Sequence, residues 1–367
     1  MPEYLINDEG NDLDFPGKVA VVSCSVSVNE DTFRSAEQLL AKYGEDKIIH
    51  VIWPDIFTNE QEQMISLLAK LAENKEIKAL IINHAVLGTN AAVDELRKMR
   101  DDIFIVYCTL HEPFLETSAR ANLILHLDEL GMGQAMVKQA QKQGAGTFVH
   151  YSFPRHLSLP LISTRIDLTK KVCKEEGIVF VDVEALDPMG EAGNDAARQF
   201  ILEDVPKKVT KYGENTAFFC TNCQLQAQLI KAVVDSHAIY PQPCCPSPFH
   251  GFPQALGIDT SGAYSDLNYV ISEACRIAGE KNMTDRLSTW PVSTSMMFGN
   301  AGAEYAIKCI KGIVPRNHID ERALEDCMSD YIMEVVGERV EVSVTSYSEN
   351  NVNCDNIKLV LMSYLDL

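Results

Sequence analysis

The stretch LILHLDELGMGQAMVKQAQKQGAGTFVHYSFPRH, residues 123–156, decides how the rest of the chain is interpreted. Its apolar pattern predicts a strand at 123–127, a helix at 133–143 and a second strand at 147–153. Pro154 cannot continue a central strand. Polar side chains gather where that strand ends, namely Tyr151, Ser152, Arg155 and His156. We interpret the stretch as the boundary at which one α/β domain ends and a second begins.

Strand and helix patterns alternate on both sides of this domain boundary. The strands predicted before it are 18–24, 47–53, 78–83, 103–108 and 123–127, and the helices between them are 30–43, 59–74, 91–99 and 118–122. The pattern restarts after it, with strands at 147–153, 179–183 and 217–221 and helices at 160–176, 196–212 and 224–235. Such alternation predicts the α/β class, with doubly wound parallel sheets covered on both faces by crossover helices.

The remainder of the chain suggests two domains joined by hinge crossovers. A proline-rich segment at 239–259 predicts loop or edge strand, and helices are predicted at 269–280 and 295–311. The tail predicts strands at 340–345 and 359–365, with ENNVNCDN as the turn between them. A chain of 367 residues exceeds what one core usually serves. We expect an N-terminal α/β domain of residues 1–128 plus 290–336, and a C-terminal one of 129–289 plus 337–367.

Composition restricts the classes of function. The formal charge of −20 opposes binding to nucleic acid or anionic lipid through a broad basic surface. No apolar run reaches the roughly 20 residues that cross a bilayer. The acidic N-terminus has no basic start followed by an apolar core, so no secretory signal is predicted. Eleven dispersed cysteines favour reduced thiols, and hence a cytoplasmic location. An extracellular, lipoprotein-like location is the alternative if a signal was removed.

Five segments carry a resemblance to a known family: FVHYSFPRH, QFILEDVPKKV, FFCTNCQLQ, CCPSPFHGFP and STWPVSTSMMFGNAGAEYA. Together they resemble a bacterial family with the type I periplasmic-binding-protein-like fold, many of whose members are lipoproteins. That fold also forms the effector domains of lactose-repressor-like regulators. The resemblance implies a solute-binding or sensor protein with a transporter or regulatory partner. This chain lacks the lipoprotein cysteine near its start, and a first strand at residue 18 leaves no room for a helix-turn-helix ahead of it, so no direct nucleic-acid binding is expected.

Ligands of open α/β sheets bind at the carboxyl ends of the strands, so polar residues there are candidate ligand-binding residues. The first half supplies Ser23, Ser25, Asp55, His84, Thr109, His111 and Glu112, and the second half supplies Ser152, Arg155, His156, Asp187, Asn222 and His250. If the halves face each other, these residues line one cleft for a small polar metabolite with an anionic or multiply hydroxylated group. The alternative is that many of them are helix caps and turn residues.

Two candidates have specific alternatives. The Arg155 guanidinium matches a carboxylate or phosphate bidentately, but a structural ion pair with Asp187 or Glu184 would use it equally well. Trp290 could stack on a flat ligand or sugar face, and packing in the core or hinge is its alternative.

Metal and cofactor chemistry are both considered and not predicted. Cys220, Cys223, Cys244 and Cys245 raise a structural zinc site, but Cys220 ends a buried strand and adjacent cysteines seldom ligate one ion. The Cys220–Cys223 spacing also lacks the usual context of a redox motif. We therefore predict no metal and no cofactor.

A hydrolase is the enzymatic alternative. It would use strand-end groups in metal-assisted or acid–base catalysis, namely His84, His111, Glu112, His150 and His156. The sequence contains no HExxH, GxSxG or Walker motif, and Gly131-Met-Gly133 lacks the third glycine of a dinucleotide site. We therefore predict a binding protein rather than an enzyme.

Overall fold

The computed structural model describes residues 13–57, 59–260, 266–349 and 351–367. The acidic residues 1–12, on which the expected lack of a secretory signal rests, lie outside them. Strands β1–β12 span Lys18–Ser23, Ile48–Ile52, Ile77–Ile82, Phe104–Cys108, Leu123–Leu127, Thr147–Ser152, Val179–Glu184, Thr216–Cys220, Ser288–Thr289, Val342–Glu349, Val352–Met362 and Leu365–Asp366. Helices α1–α13 span Val26–Tyr43, Gln61–Glu73, Thr89–Met99, Phe114–Thr117, Glu129–Lys142, Pro154–Leu157, Pro160–Glu175, Gly193–Tyr212, Gln226–Asp235, Phe252–Leu256, Leu267–Glu280, Thr294–Ile310 and Glu321–Val336.

The chain divides into two compact units. Unit 1 consists of Met1–Leu127, Thr294–Glu334 and Glu341–Val360, and unit 2 of Asp128–Ser293, Val335–Val340 and Leu361–Leu367. The tail departs from the expected boundaries, since we assigned all of 337–367 to the second domain. Residues 341–360 belong instead to unit 1, because Ile357 to Val360 of β11 pair in parallel with β5 and bury apolar side chains there.

Unit 1 is built on one seven-stranded sheet. Its strand order is β10-β11-β5-β4-β3-β1-β2, and the pairs from β11 to β2 are parallel. Strand β4, FIVYC, is buried at every residue, as expected for a parallel strand covered on both faces. Helices α2 and α3 pack side by side, and α1 packs against α12. The predicted α/β alternation is therefore confirmed in this unit.

Unit 2 has its own parallel sheet. Strands β7, β6 and β8 pair in parallel, and isolated bridges from Ala217 to Ile239 and from Tyr240 to Leu287 carry the pairing towards the antiparallel pair β9–β12. Alternate residues of β6 enter different cores, Phe148 with α5 and α7, and Val149 with α8 and α9. Helices thus cover both faces, which is the doubly wound arrangement that the sequence predicts.

Three local expectations are wrong. The helix expected at 118–122 lies earlier, at α4, because the Asn122 side chain accepts the Ile105 backbone N–H at 2.8 Å. Helix α13 was not predicted, although Leu324, Met328 and Ile332 bury one helical stripe. The ENNVNCDN segment is mostly strand: β11 begins at Val352 and buries Cys354.

Helix α12 approaches its neighbours in unit 1 so closely that a glycine is required. A Cβ at Gly299 would lie 2.2 Å from Asn83 Nδ2 and 2.3 Å from Ser35 Oγ. At Gly302 a Cβ would lie 3.1 Å from Val106 Cγ1, which is tight but less severe. The close packing of α12 therefore depends on two glycines without side chains as much as on the apolar side chains of the helix.

Gly299→Ala is expected to lower the free energy of unfolding by about 1–3 kcal/mol, because buried neighbours must move to admit the methyl group. Gly279→Ala is the matched control: Gly279 lies in α11, and its Cβ would meet nothing within 4 Å. It should leave stability unchanged or raise it by up to about 1 kcal/mol. Urea unfolding followed by circular dichroism measures both, and equal midpoints would contradict the close approach.

Candidate functional site

Parallel pairing brings several polar residues to the carboxyl edge of the unit 1 sheet. Strands β1, β2, β3 and β4 all end at this edge, because neighbouring parallel strands point the same way. The predicted residues lie at or just after these ends: Ser23 and Ser25 at β1, Asp55 at β2, His84 at β3, and Thr109, His111 and Glu112 at β4. Thr109 has a left-handed backbone, with φ of 50°, where the chain turns off the strand.

A histidine pair lies at the centre of this edge. His84 Nε2 is 3.0 Å from His111 Nε2, and the two rings meet edge to face. His84 Nδ1 lies 3.3 Å from Asn29 Nδ2, which can only donate, so Nδ1 is the acceptor and Nε2 carries the proton. Cys24 Sγ is also 3.5 Å from His84 Nδ1. Asn29 reaches this position because α1 is kinked there, with φ of −156° and ψ of 94°.

Burial keeps the imidazoles of this edge neutral. It lowers the pKa of His84 to about 4, and a charge on His111 would lower it further. Burial also lowers the pKa of His111, and that of His126 to about 4. His126 Nδ1 accepts the Leu110 backbone N–H at 3.1 Å and so supports the same loop. Neutral imidazoles both donate and accept hydrogen bonds, which suits hydroxyl groups.

Two predicted residues of unit 1 are engaged by the protein itself. The Glu112 carboxylate accepts the backbone N–H groups of Gly88 at 3.2 Å and Asn90 at 2.8 Å, so it caps the start of α3. Buried Ser23 donates to the Cys24 carbonyl at 2.9 Å and lies 2.8 Å from His50 Nε2. Both contacts match the alternative of caps and turns.

The two remaining predicted residues of unit 1 are more accessible. Ser25 Oγ is 2.9 Å from Ser27 Oγ, which in turn donates to exposed Asp55 at 3.3 Å. Cys24, Asn29 and His126 are members of this edge that we did not predict. The position of His126 near the end of β5 was the available signal for it.

Unit 2 has a second group of polar residues at its strand ends. His156 Nδ1 is 2.9 Å from Thr221 Oγ1, and Ser152 Oγ is 3.2 Å from the same hydroxyl. Thr221, which follows β8, links two of the predicted residues and was itself missed. Asn222 Oδ1 accepts the Gln224 backbone N–H at 2.8 Å, which is the capping role that was its alternative.

Arg155 forms the ion pair that was the competing interpretation. Its Nε and Nη2 atoms donate to the two Asp187 carboxylate oxygens at 2.7 and 2.8 Å. The guanidinium lowers the pKa of Asp187 to about 2. Nearly half of the Arg155 side chain is exposed (46%), so the pair remains accessible to an anionic group.

Trp290 is completely buried in unit 2, which is its alternative role in the core. The groups of the hydrolase alternative are divided between the units: His84, His111 and Glu112 lie at the strand ends of unit 1, and His150 and His156 belong to unit 2. Glu112 holds α3, and His150 is fully buried in β6 with its ring centroid 5.8 Å from that of Phe180 and 5.5 Å from that of Phe219.

The cysteines of unit 2 form a different set from the one considered for zinc. Cys223 Sγ lies 3.4 Å from Cys244 Sγ and 3.7 Å from Cys245 Sγ, and Cys244 Sγ lies 3.5 Å from His250 Nε2. The sulfurs of Cys244 and Cys245 are 3.9 Å apart. Cys220 is buried in β8 and is not in the group that could hold a metal, whereas His250 is.

A protein-family profile described as "Protein of unknown function (DUF3798)" matches residues 17–288, which is more than half of the chain. The chain belongs to the DUF3798 family. Two Treponema pallidum (strain Nichols) proteins, both uncharacterized, are similar to this DUF3798 member. One is 32% identical over 164 residues, covering 45% of this chain and 76% of its own; the other is 35% identical over 143 residues, covering 39% and 65%.

Solved structures share the fold of this DUF3798 chain. A candidate transcriptional regulator from Clostridium difficile 630 matches with a TM-score of 0.87 at 22% identity, over 96% of this chain and 100% of its own. A sugar ABC transporter protein from Actinomyces odontolyticus ATCC 17982 matches with a TM-score of 0.53 at 9% identity, over 81% and 84%. The type I periplasmic-binding-protein-like fold predicted from the sequence is thereby confirmed. Among the described residues, no helix is long and apolar enough to cross a membrane.

The lowered histidine pKa values predict acid sensitivity. In the unfolded chain the histidines bind protons below about pH 6.5. In the folded chain His84 and His126 stay neutral to about pH 4, and His150 to about pH 3. Since the unfolded state then binds more protons, the free energy of unfolding should fall as pH falls through this window.

Urea unfolding at several pH values measures this dependence. His150→Phe should reduce the slope, because it replaces a buried titratable ring lying between two phenyl rings by an apolar one. His318→Phe, at an exposed position of unit 1, is the control. A slope that His150→Phe leaves unchanged would contradict the neutral buried state.

Proposed function

We propose that this DUF3798 protein binds a small, multiply hydroxylated molecule through its strand-end residues and catalyses no covalent step. The observation that carries the proposal is the neutral His84–His111 pair at the carboxyl edge of unit 1. An imidazole pair that stays neutral at pH 7 offers both donors and acceptors, whereas a charged pair would offer donors alone. His111 is exposed and can exchange its bond to His84 for one to a ligand.

Unit 2 offers a second group of polar contacts at its own strand ends. Arg155 is held in orientation by Asp187 and keeps part of its side chain in solvent, so it can donate a further charged hydrogen bond. His156 lies beside it, with Nδ1 committed to Thr221 and the other ring nitrogen left to act on a ligand.

The ligand class is supported by the fold likeness. The Actinomyces protein is named for sugar transport, and a Bordetella parapertussis 12822 structure with a TM-score of 0.50 is named a sugar substrate-binding protein. For this chain we propose a sugar or nucleoside, sensed or delivered to a transporter or regulatory partner. A cytoplasmic location agrees with its reduced cysteines.

The hydrolase alternative would need an acid–base group or a metal at the same edge. Glu112, its one carboxylate candidate, already accepts two backbone N–H groups, and His150 is buried in the sheet. A binding role leaves Glu112 on these backbone groups and His150 in the sheet, whereas a hydrolase would need them for catalysis.

Arg155→Gln is expected to weaken binding of a hit by about tenfold or more, since a charged hydrogen bond is roughly twice as strong as a neutral one. His111→Gln should weaken it by about three- to tenfold, the range for a neutral hydrogen bond. Thermal-shift screening of hexoses, pentoses and ribonucleosides would identify the hit, and isothermal titration calorimetry would give the affinities.

Matched controls exist for both variants. Arg276 of α11 is 51% exposed and is also held by carboxylates, so Arg276→Gln should bind like the parent protein. His318→Gln replaces an exposed histidine away from the strand ends. Equal affinities of test and control variants would place the site elsewhere, and failure of the whole panel to bind would contradict the ligand class.

The likeness to a candidate regulator makes DNA binding a separate question. With 52 acidic and 32 basic residues, this chain should not shift duplex DNA in a gel at moderate salt, with or without a bound sugar. A sequence-specific shift that weakens as salt rises would overturn this expectation.

A further inference from the structure

We propose that Cys223, Cys244, Cys245 and His250 form a zinc site at the strand ends of unit 2. All four residues lie in the two segments that follow β8 and the parallel bridge at Ile239 and Tyr240. The proposal is independent of the solute site, and it reassigns His250 from ligand contact to metal ligand.

Four of the distances between donor atoms match those around a tetrahedral zinc ion. With Zn–S of about 2.3 Å and Zn–N of about 2.0–2.1 Å, tetrahedral angles place sulfurs about 3.8 Å apart and sulfur and nitrogen about 3.6 Å apart. The three sulfur–sulfur distances are 3.4, 3.7 and 3.9 Å, and Cys244 Sγ lies 3.5 Å from His250 Nε2. A disulfide would need about 2.05 Å, so none of the three pairs is bonded.

The core ligands are Cys223, Cys244 and His250, whose donor atoms all lie within 4.8 Å of one another. Cys245 adds a third sulfur next to both thiols. It lies outside the group within 4.8 Å, so its side chain or that of His250 must move for Cys245 to complete the coordination. Thiolates and an imidazole are the donors that zinc prefers in structural sites, whereas Mg²⁺ and Ca²⁺ prefer oxygen. Binding releases the thiol protons to solvent as each metal–sulfur bond forms.

A buried glutamine holds the two segments in place. Gln226 Nε2 donates to the backbone carbonyls of Cys220 at 3.0 Å and Asn222 at 2.7 Å, which positions Cys223. Gln226 Oε1 accepts from the Tyr240 hydroxyl at 2.5 Å and from the Cys244 backbone N–H at 3.4 Å. Gln226 thus fixes the backbone of both ligand segments, as the residues that orient metal ligands do.

The adjacent cysteines were one reason against zinc in the sequence, beside the place of Cys220 in a buried strand, and the tertiary structure removes this objection. Cys244 is buried and Cys245 exposed, yet the chain turns so that both sulfurs approach Cys223. Cys223 and Cys245 are exposed residues, so an ion can approach the group from solvent.

The experiment titrates Co²⁺ and then Zn²⁺ into the full chain, stripped with chelator and kept reduced under argon. Co²⁺ should produce thiolate charge-transfer bands and the strong visible absorption of tetrahedral cobalt, saturating at one ion per chain, and Zn²⁺ should abolish both. Competition with a chromophoric chelator measures zinc affinity. Cys223→Ser and His250→Ala should each lower it by about 100-fold or more.

Cys275→Ser and His318→Ala are the controls, because both residues are exposed and outside the group. They should bind zinc like the parent protein. If Cys223→Ser fails to fold, Cys245→Ser at the other exposed position carries the test. Reduced parent protein without cobalt–thiolate bands, equal losses in test and control variants, or a mass lower by two hydrogen atoms that shows a disulfide would each overturn the proposal.

Discussion

The parallel pairing of neighbouring strands is the constraint on which the rest of this structure depends. A parallel strand covered by helices on both faces buries mostly apolar side chains, so most polar groups are displaced to the strand ends. Strand β4 shows this directly: FIVYC is wholly buried, and Thr109, His111 and Glu112 follow it within four residues. Because parallel strands all end at one edge, the displaced groups of several strands become neighbours without being close in sequence.

Being at that edge does not by itself make a residue available to a ligand. Glu112, Ser23 and Asn222 form hydrogen bonds with backbone groups, and these bonds stabilise the loops. His111 and Arg155 keep exposed surface and are oriented by partners that lie beneath or beside them. The supporting residues and the available ones are interleaved, and the loops need both for a rigid site.

The displacement of polar groups to strand ends also explains why Cys223, Cys244, Cys245 and His250 lie together in unit 2. The proline-rich residues 241–251 cannot continue a strand, so they run as loop, where Gln226 accepts the Cys244 backbone N–H that strand pairing would otherwise use. Its cysteines are brought to Cys223 as a result. Fold likeness to sugar-binding and regulatory proteins says nothing of this group, because function resides in sites that differ among proteins of one fold.

The sequence by itself determined the alternation of elements, the α/β class, the parallel sheets and most strand ends, because burial on two faces leaves a continuous apolar run that local reading detects. Only the tertiary structure decided which polar groups meet: that Arg155 reaches Asp187, that Thr221 joins Ser152 to His156, and that His250 rather than Cys220 completes the cysteine group. It also decided that residues 341–360 return to unit 1. These are contacts between residues far apart along the chain, and no periodicity encodes them.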